Sequence, residues 1–485
     1  MAYFGSARKE MRMKDPDLAQ SLSLDEGLRK ELVKAVLDYH AAFLATLPEG
    51  KAYHGDADAG AALASLPFRE SGYEVRDILE VFHRSVTENG INPASGRHFG
   101  YVPGGGLETA AWGDFLAAVT NRYSGVHFAN PGAARMENQV IAWMCRLVGY
   151  EAGSYGSLLS GGSLANLTGI IAARDRSGLR ARDFERSVVY LTQETHHCVQ
   201  KALRLAGMGE ALLQYVPMDE CFRMNTSFLV QAIRDDRNQG RIPFMIIGSA
   251  GTTNTGAIDP LEQLAMIAEK EEIWFHVDAA YGGFFLLNQH LGPRFRGLER
   301  ADSIVMDPHK SLFMPYGTGV ILVRRREDLL ASNHYTAAYL RDSLPEGDEL
   351  SAADYSPELT RHFRGMRIWF SLTLLGQAPF RQSLAEKIAL SAYFQQEIAK
   401  RGFATGPEPE LSISLFRWIP GVGDANEANN RLLAAVHADG RIFISSTTLN
   451  GLVWLRMAIL VFRARQADVD FALRVLEDLR DGLEG

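Results

Sequence analysis

Lys310 closes the tetrapeptide Asp307-Pro308-His309-Lys310, directly after the apolar run Ser303–Met306. A lysine at the end of a buried strand, beside Leu312-Phe313-Met314, is partly desolvated. Desolvation lowers an amine pKa and makes it a nucleophile able to form a Schiff base with a carbonyl. The tetrapeptide alone fits a surface lysine at a strand end equally well. A second segment, His276-Val277-Asp278-Ala279-Ala280-Tyr281-Gly282-Gly283, puts Asp278 at the carboxyl end of another strand. Ligands of open α/β sheets bind at that edge. A buried carboxylate there needs a cationic partner, such as a protonated pyridine nitrogen. The small residues at 279, 280, 282 and 283 leave room for a flat ring. The plainer reading is an aspartate that caps a turn.

Three weaker segments follow the same placement. Ser160-Gly161-Gly162-Ser163 leads into a helix and would expose backbone N–H groups, with the Ser163 hydroxyl, to a phosphate. Gly-Gly-Ser helix starts are more often plain turns. Thr195-His196-His197-Cys198 offers an imidazole that could stack on a heteroaromatic ring, though a lone histidine is usually structural. Gly251-Thr252-Thr253 offers hydroxyls, or is an ordinary loop. All five segments fall at strand-to-helix edges, and the spacing 310 − 278 = 32 fits two successive strands of one sheet.

The elements that would position them repeat a rhythm. Runs 187–192, 244–248, 273–278, 303–306 and 319–323 read as buried strands, and most follow a helical pattern such as Leu261 to Lys270. Helices are also predicted over 24–48, 136–148 and 163–174. Strands alternating with helices predict an α/β fold with a mostly parallel sheet covered on both faces. A long pattern over about 362–401 bridges to the last hundred residues. There, strands 411–418, 441–446 and 452–460 with helices 425–438 and 466–483 predict a small α+β domain. The division expected is an N-terminal arm over 1–106, a large α/β domain over 107–385 and a small C-terminal domain over 386–485.

Composition narrows the partners. The chain has 485 residues, 46% hydrophobic and 22% charged, with a net charge of −8. That excludes a mostly disordered chain and argues against a dominant nucleic-acid face. Cys145, Cys198 and Cys221 form no C-x-x-C pair, which favours a reducing cytosol over a disulfide framework. The first twenty residues lack an apolar h-region, so no secretory signal is expected. No run of about 18 apolar residues occurs, so no membrane span is expected.

Taken together, HVDAAYGG (276–283), DPHKSL (307–312), SGGSLAN (160–166) and RHFRGMRIWF (361–370) resemble the group II pyridoxal-phosphate-dependent amino acid decarboxylases, the aromatic-L-amino-acid decarboxylase relatives. The resemblance covers about residues 60–470. It implies fold type I, the aspartate aminotransferase-like fold. It also implies pyridoxal 5'-phosphate (PLP) on Lys310, Asp278 at the ring nitrogen and His196 on the ring face. Gly162, Ser163 and His309 would hold the phosphate, Ala280 and Thr252 would line the ring, and Phe99 and Tyr123 would shape the substrate pocket. A loop tyrosine would return a proton to Cα; Tyr335, Tyr339 and Tyr355 are the candidates, Tyr355 the favoured one. In the family a phenylalanine there goes with aldehyde formation instead. Members are dimers with shared active sites. The expected activity is decarboxylation of an L-amino acid, aromatic by likeness, in the cytoplasm and without a metal.

Three rivals stand beside this reading. Aldehyde synthesis or another carbon–carbon lysis could run on the same cofactor and fold. A binding protein could share the fold, since fold does not fix function. A metal-dependent hydrolase could take His276, Asp278, His309 and His196 as ligands, but would leave Lys310 and the glycine turn without a task.

Overall fold

The computed structural model describes residues 22–56, 58–334 and 349–484. Contacts divide them into two units, 22–50 with 56–90, and 51–55 with 91–484. In the first, α1 (Glu26–Thr46) is capped by Asp25, whose carboxylate accepts the Leu28 N–H at 2.8 Å. The helix α2 (Val75–Phe82) meets it through Tyr39, whose ring lies 5.8 Å from Phe82. Within this unit α1 has no buried residue, and Leu28, Val33, Val36 and Leu37 are exposed.

The second unit opens with α3 (Glu108–Thr120) and α4 (Pro131–Leu147). Strands and helices then alternate as β1 (Tyr155–Leu159), α5 (Gly162–Ser177), β2 (Ser187–Leu191), α6 (Cys198–Leu205), β3 (Leu212–Tyr215) and α7 (Thr226–Asn238). They continue as β4 (Ile242–Ser249), α8 (Leu261–Glu271), β5 (Trp274–Asp278), β6 (Ser303–Met306) and β7 (Gly319–Val323). These strands form one sheet in the order β1-β7-β6-β5-β4-β2-β3. Only β7 runs against the others, as the continuous apolar runs predict for a sheet buried on both faces. Parallel strands end at one edge, and that edge carries the five strand-end segments read above.

Two of these strands lie outside the predicted runs. In β1, Gly156 is demanded by packing, since a Cβ there would lie 2.4 Å from the Ile321 carbonyl oxygen of β7. In β3, Leu-Leu-Gln-Tyr has no β-branched residue to mark it.

After α9 (Arg326–Asn333), the pattern over 362–401 proves to be two helices, α10 (Gly365–Leu375) and α11 (Ala378–Lys400). Gly376, at φ 70°, breaks them. The C-terminal layer is an antiparallel sheet of β8 (Ala404–Thr405), β9 (Ile413–Arg417), β10 (Ser445–Leu449) and β11 (Leu452–Ala458), in the order β8-β9-β11-β10. The helices α12 (Ala425–Asp439) and α13 (Gln466–Glu484) pack on it. Leu390, Phe394 and Ile398 of α11 belong to this layer's core. The strand expected over 441–446 starts later, because Phe443 pairs instead with His98. Residues 91–106 group with the second unit.

Candidate active site

Five strand ends deliver one cavity of about 420 Å³. The end of β1 supplies Ser160, Gly161, Gly162 and Ser163, and β2 leads to Glu194 and His196. From β4 come Ser249 and Thr252, from β5 Asp278 and Ala280, and from β6 Asp307, His309 and Lys310. The eight residues read as cofactor-binding therefore face the same space.

Lys310 is held differently from the expectation. Lys310 Nζ lies 3.2 Å from Asp307 Oδ2. Burial pulls its pKa down, but the charges of Asp307 and then Asp278 outweigh burial and leave it raised. The resting side chain is thus an ammonium between two acids, and desolvation alone does not activate it.

Glycines bring the phosphate-type turn down onto this wall. A Cβ at Gly162 would lie 2.8 Å from Asp307 Oδ2, and one at Gly319 would lie 2.5 Å from the Gly161 carbonyl carbon. The N-terminus of α5 can approach so closely because both positions lack a side chain. The first turn of a helix leaves N–H donors free for an anion. Beside it, His309 Nδ1 donates to the Thr318 carbonyl at 2.5 Å, which leaves Nε2 toward the cavity side of Asp307 at 3.7 Å.

Asp278 is 8% exposed. Its Oδ1 accepts the Ala280 N–H at 3.0 Å, and its Oδ2 lies 3.4 Å from Asn166 Nδ2. His196 accepts the Cys198 N–H on Nδ1 at 3.3 Å, so its proton sits on Nε2. Burial lowers its pKa, opposed by Asp278. Only His196 of the histidine pair lines the cavity; His197 is exposed.

Behind the wall, the Arg361 and Arg367 guanidiniums of the 361–370 run act as clamps. Arg361 donates to the Leu158 carbonyl of β1 at 2.5 Å and pairs with Glu137 at 2.6 Å, both side chains fully buried. Arg367 reaches Thr318 Oγ1 at 2.8 Å and Asp114 Oδ1 at 2.8 Å. The glycine-rich strap 103–106 lies on the lysine's own backbone, where a Cβ at Gly104 would be 2.3 Å from the Lys310 carbonyl oxygen. Arg456 of β11 ties the C-terminal sheet to the 251–256 loop through the Asn254 carbonyl at 2.9 Å and the Thr253 carbonyl.

Three expected residues stand elsewhere in this chain. Phe99 is fully buried in the C-terminal core, its N–H bonded to the Phe443 carbonyl at 2.7 Å. Tyr123 donates its hydroxyl to the Leu359 carbonyl at 2.7 Å. Tyr355 is 5% exposed and packs edge-on against Tyr155, 4.6 Å between ring centres, at the far end of β1 from the glycine turn. Core packing, not a mobile loop, holds it. Tyr335 and Tyr339 lie outside the described residues. Conversely, the cavity includes residues given no role above, namely Asp307, Asn166, Glu194 and Tyr281. Asp307 was signalled by its three-residue spacing from Lys310, and Asn166 by lying one helical turn after Gly162.

The metal-site alternative loses a ligand here. His276 is fully buried with both ring nitrogens engaged, Nδ1 by Ser303 and Nε2 by Asn166.

Comparison with known proteins identifies the family. The Pyridoxal-dependent decarboxylase conserved domain matches residues 64–417. An aromatic-L-amino-acid decarboxylase of Bacillus atrophaeus is 31% identical over 451 residues, 91% of this chain and 93% of that protein. A phenylacetaldehyde synthase of Arabidopsis thaliana is 28% identical over 395 residues, 78% of this chain and 81% of that one. The crystal structure of Oryza sativa TDC with PLP and tryptamine superposes with a TM-score of 0.89 at 24% identity, covering 96% of this chain and 99% of that one. Fold and site define a PLP-dependent enzyme of fold type I. The chain belongs to the pyridoxal-dependent decarboxylase family, as a PLP-dependent carboxy-lyase.

The donor set fits that cofactor. One wall offers an amine for its carbonyl, an acid for its ring nitrogen and a helix start for its phosphate. The close approach at Gly162 provides a cradle that a side chain would fill.

Proposed function

We propose that this chain removes the α-carboxylate of an aromatic L-amino acid and releases the amine and CO2, with PLP carried on Lys310. The observation that supports this most is that Lys310 and Asp278 open onto one cavity with the Gly161-Gly162-Ser163 turn. In this reading Lys310 holds the cofactor's carbonyl carbon covalently and Asp278 pairs with its ring nitrogen. His196 would lie against the ring, Ala280 and Thr252 would line it, and Gly162, Ser163 and His309 would bind the phosphate. Bound PLP supplies the electron sink for the pair left at Cα when the carboxylate departs.

The chain's own groups do the rest. Lys310 must shed its proton before it can bond, and Asp307 is the nearest base. Asp278 keeps the ring nitrogen protonated. The proton that replaces CO2 at Cα is assigned to a tyrosine of the segment before residue 355. Tyr355 is locked in the core, which leaves Tyr335 and Tyr339.

Phe99 and Tyr123 do not complete the pocket within this chain, so we assign the substrate side of the site to a homodimer, in which Tyr123 would serve from the partner. The bare apolar face of α1 supports that assembly, as do exposed Phe115, Val119 and Phe128 of the second unit. Among the described residues no helix is long and apolar enough to cross a membrane, and a cytoplasmic location is part of the proposal. The likeness to an aldehyde synthase favours one second reading, oxidative conversion to an aldehyde.

The test is a screen of the proteinogenic amino acids and DOPA. CO2, amine, aldehyde and oxygen uptake are measured separately. Equal CO2 and amine from an aromatic substrate, without oxygen uptake, is expected. Aldehyde with oxygen consumption would move the assignment to the second reading. A clear preference for an acidic amino acid would overturn the aromatic one.

A further inference from the structure

His276 and Asp278 stand two residues apart on β5, so their side chains leave the same face of the sheet. The helix α5 covers that face. Its Gly169 lies against the imidazole, where a Cβ would be 3.1 Å from His276 Cε1. His276 does not line the cavity. Its Nδ1 lies 2.7 Å from Ser303 Oγ, and its Nε2 lies 2.9 Å from Asn166 Oδ1. Ser303, the register partner of His276 on β6, accepts the Trp274 indole N–H at 2.8 Å. Asn166 Nδ2 donates to the Gly162 carbonyl at 2.9 Å and, in a longer contact of 3.4 Å, to Asp278 Oδ2.

The chemistry of the two ends sets the direction of the whole chain. An indole N–H can only donate, and a carboxylate can only accept. The amide nitrogen of Asn166 faces the Gly162 carbonyl, Asp278 and, at 3.6 Å, the Cys198 sulfur, all able to accept, so its oxygen faces His276. That oxygen requires a proton on Nε2. Nδ1 then carries the lone pair and takes the Ser303 hydroxyl proton. Every link donates toward Asp278, in the order Trp274, Ser303, His276, Asn166. His276, Asn166 and Ser303 are all fully buried, so water does not replace a missing link. Burial also holds the imidazole pKa down to about 4, with Asp278 opposing, so the ring is neutral as this direction requires.

We infer that this dry relay is a positioning device for Asp278, and that Ser303, which does not line the cavity, contributes through it to the grip on the cofactor's ring nitrogen. Aligned donors favour negative charge on the terminal acceptor. The reversed tautomer would present a lone pair to Asn166, turn its amide and aim the amide oxygen at the carboxylate. The inference rests on the pairing of Asp278 with the ring nitrogen proposed above.

Equilibrium binding to the full-length, cofactor-stripped protein tests it. Two ligands are compared, PLP and its carbocyclic analogue in which a C–H replaces the ring nitrogen. Only PLP can use Asp278, so the native protein should prefer PLP. In Ser303→Ala and His276→Leu that preference should shrink about tenfold, the scale seen when outer partners of a cation's ligand are removed. Affinity for the analogue should stay nearly constant. His276→Gln, whose amide can donate to Asn166 and accept from Ser303, should restore most of the preference. An unchanged preference in Ser303→Ala, or an equal loss for both ligands, overturns the relay. Absence of any preference in the native protein overturns the Asp278 pairing, and the relay with it. If His276→Leu does not fold, Ser303→Ala, which removes a single oxygen atom, decides the matter.

Discussion

The Lys310 ammonium lies 3.2 Å from the carboxylate of Asp307, three residues earlier in the same turn. Asp307 is 1% exposed, and its Oδ1 has no hydrogen-bond partner. A buried acid with a spare oxygen keeps its neighbouring amine charged until a carbonyl arrives. In the proposed function the site would store its nucleophile as this ion pair.

Asp307→Asn tests that storage. Burial lowers the lysine pKa, and the charges of Asp307 and Asp278 more than offset it. Removing one charge must lower the pKa. PLP uptake by the stripped protein, followed by visible absorbance, should speed up as pH rises. In the variant the same curve should lie at lower pH. An unmoved curve, or one displaced upward, would contradict the ion-pair picture.

Gly104→Ala probes the strap over the lysine. The new Cβ would lie 2.3 Å from the Lys310 carbonyl oxygen and 2.7 Å from Phe313 Cα, both backbone atoms. Overpacking of this kind costs about 1–3 kcal/mol. The expected result is a lower thermal midpoint together with reduced PLP content. A variant with native midpoint and full cofactor would show that the strap yields freely.

The Glu137–Arg361 pair should behave as a buried scaffold bridge. Burial raises the Glu137 pKa, and Arg361 opposes it. Glu137→Ala leaves the guanidinium uncompensated behind β1, at a cost of about 3–5 kcal/mol. Urea denaturation measures the loss. The double replacement Glu137→Ala with Arg361→Met should recover much of it, because neither charge then remains buried.

Acid should destabilise the fold through two neutral imidazoles. Burial lowers His98 from 6.5 to about 3, against a backbone hydrogen bond involving Gly100. Burial likewise lowers His276 from 6.5 to about 4. Depressed histidine pKa values mean that the unfolded chain binds protons first. Their stabilisation is complete above pH 6.5 and is lost as pH falls through about 4 and then about 3. Each contributes a slope of up to about 1.4 kcal/mol per pH unit in that window. His98 stacks on Phe443 at 5.2 Å and 12°, so His98→Phe keeps an aromatic ring there. Urea midpoints measured across the window should show a shallower slope in that variant, by about one proton. An unaltered slope would contradict the assignment.

What could be read from residues alone was decided by locality. Asp278 and Lys310 sit where apolar runs stop, and a parallel sheet carries such stops to one edge. β1 escaped notice because Gly156 serves β7 rather than strand propensity. The sign of the Lys310 pKa needed the fold, since spacing alone cannot tell whether Asp307 turns back onto the amine. Phe99 has its pocket role only from the family resemblance, and the pairing of 98 with 443 turns its ring into the C-terminal core. Tyr355 has only its position near the expected loop to recommend it, and burial against Tyr155 follows from long-range packing. The His276–Asp278 alternation was visible as a two-residue spacing on a strand. Its meaning appeared only once α5 and Ser303 were in place.

The central claim is that one lysine carries the cofactor on the wall it shares with Asp278. Borohydride reduction of the PLP-loaded protein, followed by peptide mass mapping, tests it most directly. A single phosphopyridoxyl adduct on Lys310, absent from Lys310→Ala along with turnover, is the result predicted. An adduct on another lysine, or turnover that survives in Lys310→Ala, would contradict it.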